Sequence, residues 1–206
     1  MNADKSIAVD DPSLIFPIKD ILKPLPVPTM FPREQPVELE LGSGDGSFLV
    51  NHAECHGDRN FLAVERLLGR VRKLDRKGRR RGLNNLRILR IEAHYLVDYL
   101  LEPECLEAIH VYFPDPWPKK RHHKNRLINE RFVKSAARVL RSDGMVWLRT
   151  DDADYFEQMT EVFGASDLFT AAETPETLSS ITTDFEAAFN RRGIPTLRSA
   201  YQLCAG

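Results

Sequence analysis

A short strand that runs directly into a glycine turn is the feature that most constrains the fold of this chain. Val37-Glu38-Leu39-Glu40-Leu41 alternates apolar and acidic residues and predicts a strand, and Gly42-Ser43-Gly44-Asp45-Gly46 follows it at once. Glycines let the backbone of such a turn approach a ligand without interference from Cβ atoms. The helix that we predict over residues 47–56 would direct its free N–H groups at the same place. We therefore expect a strand–turn–helix unit that binds a ligand at the turn.

Strand and helix patterns alternate through the rest of the chain. Further strands are predicted near residues 61–65, 86–91, 108–113, 145–148, 169 and 197–203. Helices are predicted near residues 67–80, 92–101, 126–140, 155–163 and 183–192. This alternation predicts an α/β, Rossmann-like fold in which a seven-stranded, mostly parallel sheet carries helices on both faces.

The first 36 residues do not follow this pattern, because prolines recur throughout them and no hydrophobic period is sustained. We predict an extended arm over residues 1–36, with a short helical turn near Ile18–Leu22. A single domain is predicted over residues 37–206. The sequence leaves open whether the arm packs on that domain or becomes ordered on binding a partner.

The bulk composition sets further limits. The chain has 206 residues, 42% of them hydrophobic, which suffices for one full-sized core. No apolar run approaches the roughly 20 residues that span a bilayer. Residues 1–11 lack a basic start and an apolar segment, and the three cysteines form no Cys-x-x-Cys pair. We expect a cytoplasmic protein without membrane contact, a monomer or homodimer with no obligate protein partner.

Two histidines have a spacing that suits a metal ion. His52 and His56 lie one helical turn apart, with Cys55 between them. No third ligand is evident in the sequence. We therefore interpret both as surface histidines and expect no bound metal.

The net charge of −1 hides two basic clusters. One runs from Arg66 to Arg90 with Asp75 as its only acid, and the other runs from Lys119 to Arg126. Cations that share one face can bind a polyanion even when the whole protein is nearly neutral. Whether the two clusters share a face depends on the fold.

Acidic residues recur at the predicted carboxyl ends of strands. In an open α/β sheet these ends share one edge, where ligands bind. Glu65 stands 19 positions after Gly46, where such folds place the carboxylate that holds a ribose diol. Glu92 could accept a hydrogen bond from an adenine amino group or simply stabilise the helix that follows it. The five acids predicted at this edge are Glu40, Glu65, Glu92, Asp115 and Asp151.

The segment after the fourth predicted strand is rich in proline. Phe113-Pro114-Asp115-Pro116-Trp117-Pro118 is followed by the basic residues 119–124. Prolines remove backbone donors and push the residues before them toward extended conformations. Asp115 and Trp117 are thus predicted on a stiff loop beside a basic tail, which suits a base attached to a phosphate chain. Trp117 could stack on a base or brace the loop, and we favour bracing.

The glycine spacing excludes a dinucleotide-binding fingerprint, which requires Gly-x-Gly-x-x-Gly or Ala. Glu40 and the three glycines resemble instead the first motif of S-adenosylmethionine-dependent methyltransferases. Residues 113–122, Thr150-Asp151 and residues 183–186 together resemble the tRNA (guanine-N7)-methyltransferase family. The resemblance runs from about Val37 to Tyr201. It implies methyl transfer from S-adenosylmethionine to N7 of guanine in tRNA, at position 46 in the variable loop.

The resemblance also implies roles for individual residues. Asp115 would be the active-site residue. The cofactor would contact Glu40, Gly42, Gly44, Gly46, Glu65, Glu92 and Asp115. The substrate would contact Lys119, Asp151, Thr183, Asp184, Phe185 and Glu186. RNA would contact Arg121, His122, His123, Lys124, Asn125 and Arg126.

This chain departs from the family pattern at a few places. Glu92 stands where Asp is usual, Asn125 interrupts a run that is usually more basic, and the arm is shorter and less arginine-rich. None of these changes removes a group that the chemistry needs. N7 of guanine carries a lone pair and no proton, so we expect the carboxylate of Asp115 to orient base and cofactor rather than remove a proton.

Two other functions stay open at this point. Asp115-Pro116-Trp117 partly matches the Asn/Asp-Pro-Pro-aromatic segment of amino-group methyltransferases, which act on another RNA or on a protein. The chain could also be a non-catalytic RNA-binding subunit that kept the fold. The retained glycine turn and Asp115 argue against the second.

Overall fold

The computed structural model describes residues 13–204, so residues 1–12 of the predicted arm and residues 205–206 of the predicted domain lie outside it. The strands are β1 Val37–Leu41, β2 Asn60–Val64, β3 Leu86–Leu89, β4 Leu106–Tyr112, β5 Leu140–Thr150, β6 Phe169–Ala172 and β7 Leu197–Leu203. The α-helices are α1 Leu49–Cys55, α2 Leu68–Arg80, α3 Ala93–Tyr95, α4 Glu130–Val139, α5 Ala153–Gly164, α6 Glu176–Ser179 and α7 Asp184–Asn190. The helix α3 continues as a π-helical turn, and the 3-10 helices are Val27–Met30 and Lys120–Asn125.

All seven strands form one sheet in the order β3-β2-β1-β4-β5-β7-β6. The first five strands pair in parallel, and only β7 runs antiparallel to its neighbours β5 and β6. The predicted Rossmann-like sheet is thus confirmed. Within residues 13–204, no helix combines the length and the apolar character needed to cross a bilayer.

Helices cover both faces of the sheet because successive strand residues point to opposite sides. On β2, Leu62 and Val64 join the larger core, which also contains residues of α4 and α5. Phe61 and Ala63 join the smaller core, together with residues of α1 and α2. On β1 the smaller-core side carries Glu38 and Glu40 rather than apolar residues, so two acids are buried on that side of the sheet.

The arm packs on the domain over its described part, from residue 13 to residue 36. Leu25, Val27 and Met30 are buried in the larger core. Residues 14–16 run alongside the outer strand β3: the Ile88 N–H donates to the Leu14 carbonyl and the Phe16 N–H donates to the Ile88 carbonyl, both at 2.9 Å. The arm therefore continues the sheet by one short bridge at its β3 edge.

One predicted helical turn is absent and two predicted starting residues are wrong, each for a local reason. Near Ile18–Leu22 there is a turn but no helix, because the Asp20 carboxylate accepts from the Leu22 N–H at 2.9 Å and closes the turn through a side chain. The helix predicted from Arg126 begins instead at Glu130, because Asn129 caps it by accepting from the Phe132 N–H at 3.0 Å. The strand predicted from Met145 begins already at Leu140, which pairs with Leu106 before the register shifts.

Candidate active site

A cavity of about 280 Å³ opens at the carboxyl ends of β1, β2 and β4. Three of the five predicted acids line it: Glu65, Glu92 and Asp115. The turn residue Gly42 and the apolar side chains of Leu41, Ile91 and Leu127 complete much of the wall. Glu40 lies within β1 and Asp151 directly follows β5, and neither is among the lining residues. The sheet therefore gathers three of the acids around one space.

The glycine turn is held rigidly against β2. The N–H groups of Gly42 and Ser43 both donate to the Val64 carbonyl at 2.9 Å, and the Val64 N–H donates to the Ser43 hydroxyl at 3.1 Å. Gly46 has a φ of +78°, and a Cβ there would lie 2.7 Å from Leu74 of α2. Glycine at this position thus permits close packing of the turn on α2. Gly42 itself lines the cavity, whereas Gly44 and Gly46 are buried.

Glu40 is a buried carboxyl group behind this turn. Burial raises its pKa to about 8, and the Ser43 hydroxyl and the Arg149 charge only partly offset that effect. Its Oε2 atom has no hydrogen-bond partner among the described atoms. Such an orphaned polar atom is costly unless a ligand satisfies it. A cationic amino group placed beside the turn would do so.

Glu65 and Glu92 each bind backbone N–H groups at the cavity edge. Oε1 of Glu65 accepts from the Leu67 N–H at 2.7 Å, and the two oxygens of Glu92 accept from the N–H groups of His94 and Tyr95 at 3.1 and 2.8 Å. A carboxylate has about four acceptor sites, so both groups retain capacity for hydroxyl or amino donors of a ligand. Glu92 therefore caps the following helix, as the alternative interpretation predicted, and still lines the cavity.

The proline loop differs from the predicted extended form. Phe113 and Trp117 precede Pro114 and Pro118, yet their φ angles are +52° and +47°. Tertiary contacts override the proline preference here: the Phe113 N–H donates to the Arg149 carbonyl at 2.8 Å, and the Arg126 Nε donates to the Pro116 carbonyl at 2.8 Å. Positive φ at bulky residues costs on the order of 1–3 kcal/mol each and is typical of functional sites. The two strained residues flank Asp115, whose side chain is exposed.

Trp117 is half-buried and lines the cavity, and its ring meets the His122 ring edge-on with centroids 5.8 Å apart. The indole thus contacts the beginning of the basic loop. This geometry suits a bracing role, which stays a prediction.

Arg126 lies inside the protein rather than on the surface. Its guanidinium is 1% exposed and donates to Gln158 and Asp154 at 2.7 and 2.5 Å, above the Tyr155 ring. Arg126 is therefore placed to fix the loop on α5, whereas Lys119, Arg121, Lys124 and Asn125 are exposed. His122 and His123 are half-buried.

Two residues of the Thr-Asp-Phe-Glu segment, residues 183–186, make structural contacts inside the protein. Thr183 caps α7 by accepting from the Glu186 N–H at 2.9 Å. The Glu186 carboxylate is 1% exposed, lies 3.1 Å from Arg149 Nη1 and also binds Arg198. Phe185 is 51% exposed, and for Asp184 the structure describes the backbone alone.

Sequence reasoning missed Arg149. Its guanidinium is 1% exposed and lies 4.3 Å from the Tyr112 ring centroid. It also donates to the carbonyls of Leu178 and Ile181 at 2.5 and 2.8 Å, so it ties β5 to the segment before α7. The sequence offered one indication of its importance, its position directly before Thr150-Asp151. Its role was not predictable because its partners lie 29 to 37 residues away in sequence.

Comparisons with known proteins agree with this architecture. The sequence profile of a family described as "Putative methyltransferase" matches residues 34–198. A 16S rRNA methyltransferase, KamB, is 15% identical with a TM-score of 0.59, over 87% of this chain and 91% of that one. TrmN from Thermus thermophilus is 16% identical with a TM-score of 0.58, over 82% of this chain and 45% of that one. The fold is that of the Rossmann-like, S-adenosylmethionine-dependent methyltransferases.

Two sequence relatives are more similar. A tRNA (guanine-N(7)-)-methyltransferase of Marinobacter nauticus is 41% identical over 140 residues, which are 68% of this chain and 59% of that protein. The protein of the same name from Alkalilimnicola ehrlichii is 34% identical over 181 residues, 88% of this chain and 75% of that protein. The chain belongs to the tRNA (guanine-N7)-methyltransferase family. It nevertheless spans less than two thirds of several curated relatives, such as 61% of the protein from Syntrophotalea carbinolica.

Proposed function

We propose that this chain transfers the methyl group of S-adenosylmethionine to N7 of a guanine in tRNA, at position 46 in the variable loop. The observation that carries the proposal is the presence of Asp115, on its strained proline loop, in one cavity with Gly42, Glu65 and Glu92. The names of the sequence relatives support the substrate. The reaction belongs to the cytoplasm, in keeping with the three cysteines, which are all free.

The cavity suits a nucleoside with an amino acid attached. Glu65 is placed to accept from ribose hydroxyls, and Glu92 to accept from an adenine amino group. The orphaned oxygen of Glu40 would pair with the ammonium of the amino acid end. Gly42 leaves space where a side chain would intrude, and Gly44 and Gly46 shape the turn behind it. The cofactor supplies an activated methyl group on a positively charged sulfur.

The residues of this chain act by alignment and by charge. Guanine N7 already presents a lone pair, so no proton has to be removed before the methyl group arrives. Asp115 holds the guanine in line, and positioning of this kind can supply several kcal/mol. The purine becomes positively charged as N7 is alkylated, and the carboxylate of Asp115 stabilises that charge.

The exposed cations would hold the tRNA backbone. Lys119, Arg121 and Lys124 extend from the loop next to Asp115, and the outer face of α2 adds Arg72 and Arg76. Phosphate contacts make affinity fall as salt rises, and an affinity that ignored salt would contradict this assignment. His122, His123 and Asn125 belong to the same loop and would contact RNA beside these cations.

The remaining substrate residues divide into direct and indirect contacts. Asp151 and Phe185 are accessible and would touch the substrate, as would the Asp184 position on α7. Thr183, Glu186 and Arg126 would act by holding the surrounding segments, because their side chains are occupied inside the protein.

The test is transfer of labelled methyl from S-adenosylmethionine to tRNA transcripts with guanine or adenine at position 46. Label should enter only the guanine transcript, and borohydride followed by aniline should cleave the product at that nucleotide. Label at a site resistant to this treatment would indicate an amino-group methyltransferase. A calorimetric titration that showed no cofactor binding would indicate a non-catalytic RNA-binding subunit.

A further inference from the structure

A second cavity, also of about 280 Å³, lies on the α1 side of the sheet toward the amino ends of the strands. It shares no lining residue with the cavity that contains Asp115. Glu38 of β1, His52 of α1 and His110 of β4 lie together in its wall. None of these three residues has a part in the proposed methyl transfer.

Three potential metal ligands converge on one point in this wall. Oε2 of Glu38 lies 3.0 Å from His52 Nε2 and 2.9 Å from His110 Nε2. All three atoms lie within 4.8 Å of one another, and the side chains are 7%, 8% and 1% exposed. Ligand atoms of a tetrahedral zinc site are separated by about 3.3 Å, given bonds of roughly 2.0–2.2 Å. The two distances from the carboxylate oxygen to the imidazoles are already close to this spacing, so the ligand set needs only local side-chain movement to admit an ion.

We propose that Glu38, His52 and His110 bind one Zn²⁺ ion, with the cavity providing a fourth position for water. Two histidines and one carboxylate are a ligand set that zinc uses in sites with an open position. The ligands come from three different elements, so the ion would join β1, β4 and α1 directly. The proposal replaces the sequence-based expectation of no metal and does not depend on the proposed function.

The surrounding groups are placed as supports for such a site. Arg59 donates to Glu38 Oε1 at 2.8 Å, which leaves Oε2 for the ion. The Tyr112 hydroxyl lies 2.8 Å from His110 Nδ1. With Nε2 bound to the ion, a neutral His110 would carry its proton on Nδ1 and donate it to the Tyr112 hydroxyl. Partners of this kind orient metal ligands.

His56 provides the matched control. It is the histidine that the sequence pairs with His52, and its ring centroid lies 4.3 Å from that of His52. Its Nδ1, however, is hydrogen-bonded to the His52 carbonyl at 2.9 Å, and it is not part of the converging set. Substitution at position 56 therefore removes a neighbouring imidazole without removing a ligand.

The test is calorimetric titration of the chelator-treated full chain with zinc chloride, for the wild type and for Glu38→Gln, His110→Gln and His56→Gln. We expect one ion per chain. Affinity should fall by at least about 100-fold in the first two variants, more than loss of a supporting partner usually costs, and should change by less than about 3-fold in His56→Gln. Undiminished zinc binding in folded Glu38→Gln and His110→Gln would overturn the proposal.

A measurement on the wild type guards against variants that fail to fold. In ¹⁵N spectra of labelled histidine, zinc should shift the Nε2 signals of two of the six rings. No shift at saturating zinc, or shifts confined to other rings, would refute the site. Calorimetry with S-adenosylmethionine on the zinc-free protein tests the other cavity separately, so failure of one proposal is distinguishable from failure of the other.

Discussion

Glu38 and Glu40 lie two residues apart on the same face of β1, and both are buried, yet their surroundings favour opposite charge states. Burial by itself raises the pKa of each. For Glu38, hydrogen bonds from His110 and His52 outweigh burial and hold the pKa well below its ordinary value. For Glu40, burial prevails and the pKa is about 8. The supply of partners, rather than depth, thus decides the charge of a buried acid.

The two acids differ in whether their carboxylate oxygens have hydrogen-bond partners. Both oxygens of Glu38 have partners, in Arg59, His52 and His110. Glu40, nearer the glycine turn, keeps an oxygen that has no partner within residues 13–204. A family that uses this turn for a cofactor has reason to leave that oxygen available.

The largest expected effect lies at the carboxyl-end cavity. Asp115→Asn should lower the rate of methyl transfer by about 100- to 1,000-fold, because the charge that stabilises the alkylated purine is lost. The free energy of unfolding should change by less than about 0.5 kcal/mol, since the side chain is exposed. Single-turnover transfer and urea denaturation measure the two quantities. Asp58→Asn, at a side chain that is 77% exposed, is the control, and equal losses in both variants would contradict the assignment.

The next effect contrasts the two acids directly. Glu38→Gln should lower the free energy of unfolding by about 2–3 kcal/mol at pH 7, because hydrogen bonds to a charged acceptor are lost. Glu40→Gln should instead raise it by about 3 kcal/mol at pH 7, because the wild-type acid takes up a proton on folding at a pH above its unfolded pKa of 4.5 and the amide does not. Urea denaturation with a chelator present gives both values. A larger loss for Glu40→Gln would reverse the comparison.

The pH dependence of stability sharpens the same contrast. The pKa of Glu40 is raised from 4.5 to about 8 in the folded state, so the folded protein binds a proton that the unfolded chain has released between these values. The contribution of this proton is fully present below pH 4.5 and is lost as pH rises toward 8. The stability of the wild type relative to Glu40→Gln should fall by up to about 1.4 kcal/mol per pH unit in this window. A difference that stayed constant from pH 5 to pH 8 would show that Glu40 is ionised throughout.

The smallest effect concerns the link between the two regions. Tyr112→Phe removes the hydroxyl that contacts His110 and should destabilise the protein by about 1 kcal/mol. Combined with Glu38→Gln, the two losses should fall short of additivity, because both act on the same hydrogen-bonded cluster. Thermal or urea denaturation of the four proteins in the cycle measures the coupling. Strict additivity would mean that the hydroxyl and the carboxylate act independently.

Short-range patterns sufficed for much of the architecture. The position of every strand was predicted, and so was the edge where Glu65, Glu92 and Asp115 meet, because strand alternation and sheet handedness are local rules. The missed features depend on distant partners. Phe113 and Trp117 adopt positive φ because Arg149 and Arg126 bind the backbone of their loop. His110, the third residue of the proposed zinc site, lies on a strand 58 residues after His52.

The bridge between residues 14–16 and β3 has a consequence for solubility. A strand at the border of a sheet presents unpaired backbone donors and acceptors that can recruit a strand from another molecule. The arm occupies the Ile88 donor and acceptor at that border, and Asp75 fastens the arm by accepting from the Leu14 N–H at 2.8 Å. The proline-rich arm, which is itself a poor template for strand pairing, thus covers this border of the sheet against pairing with another molecule.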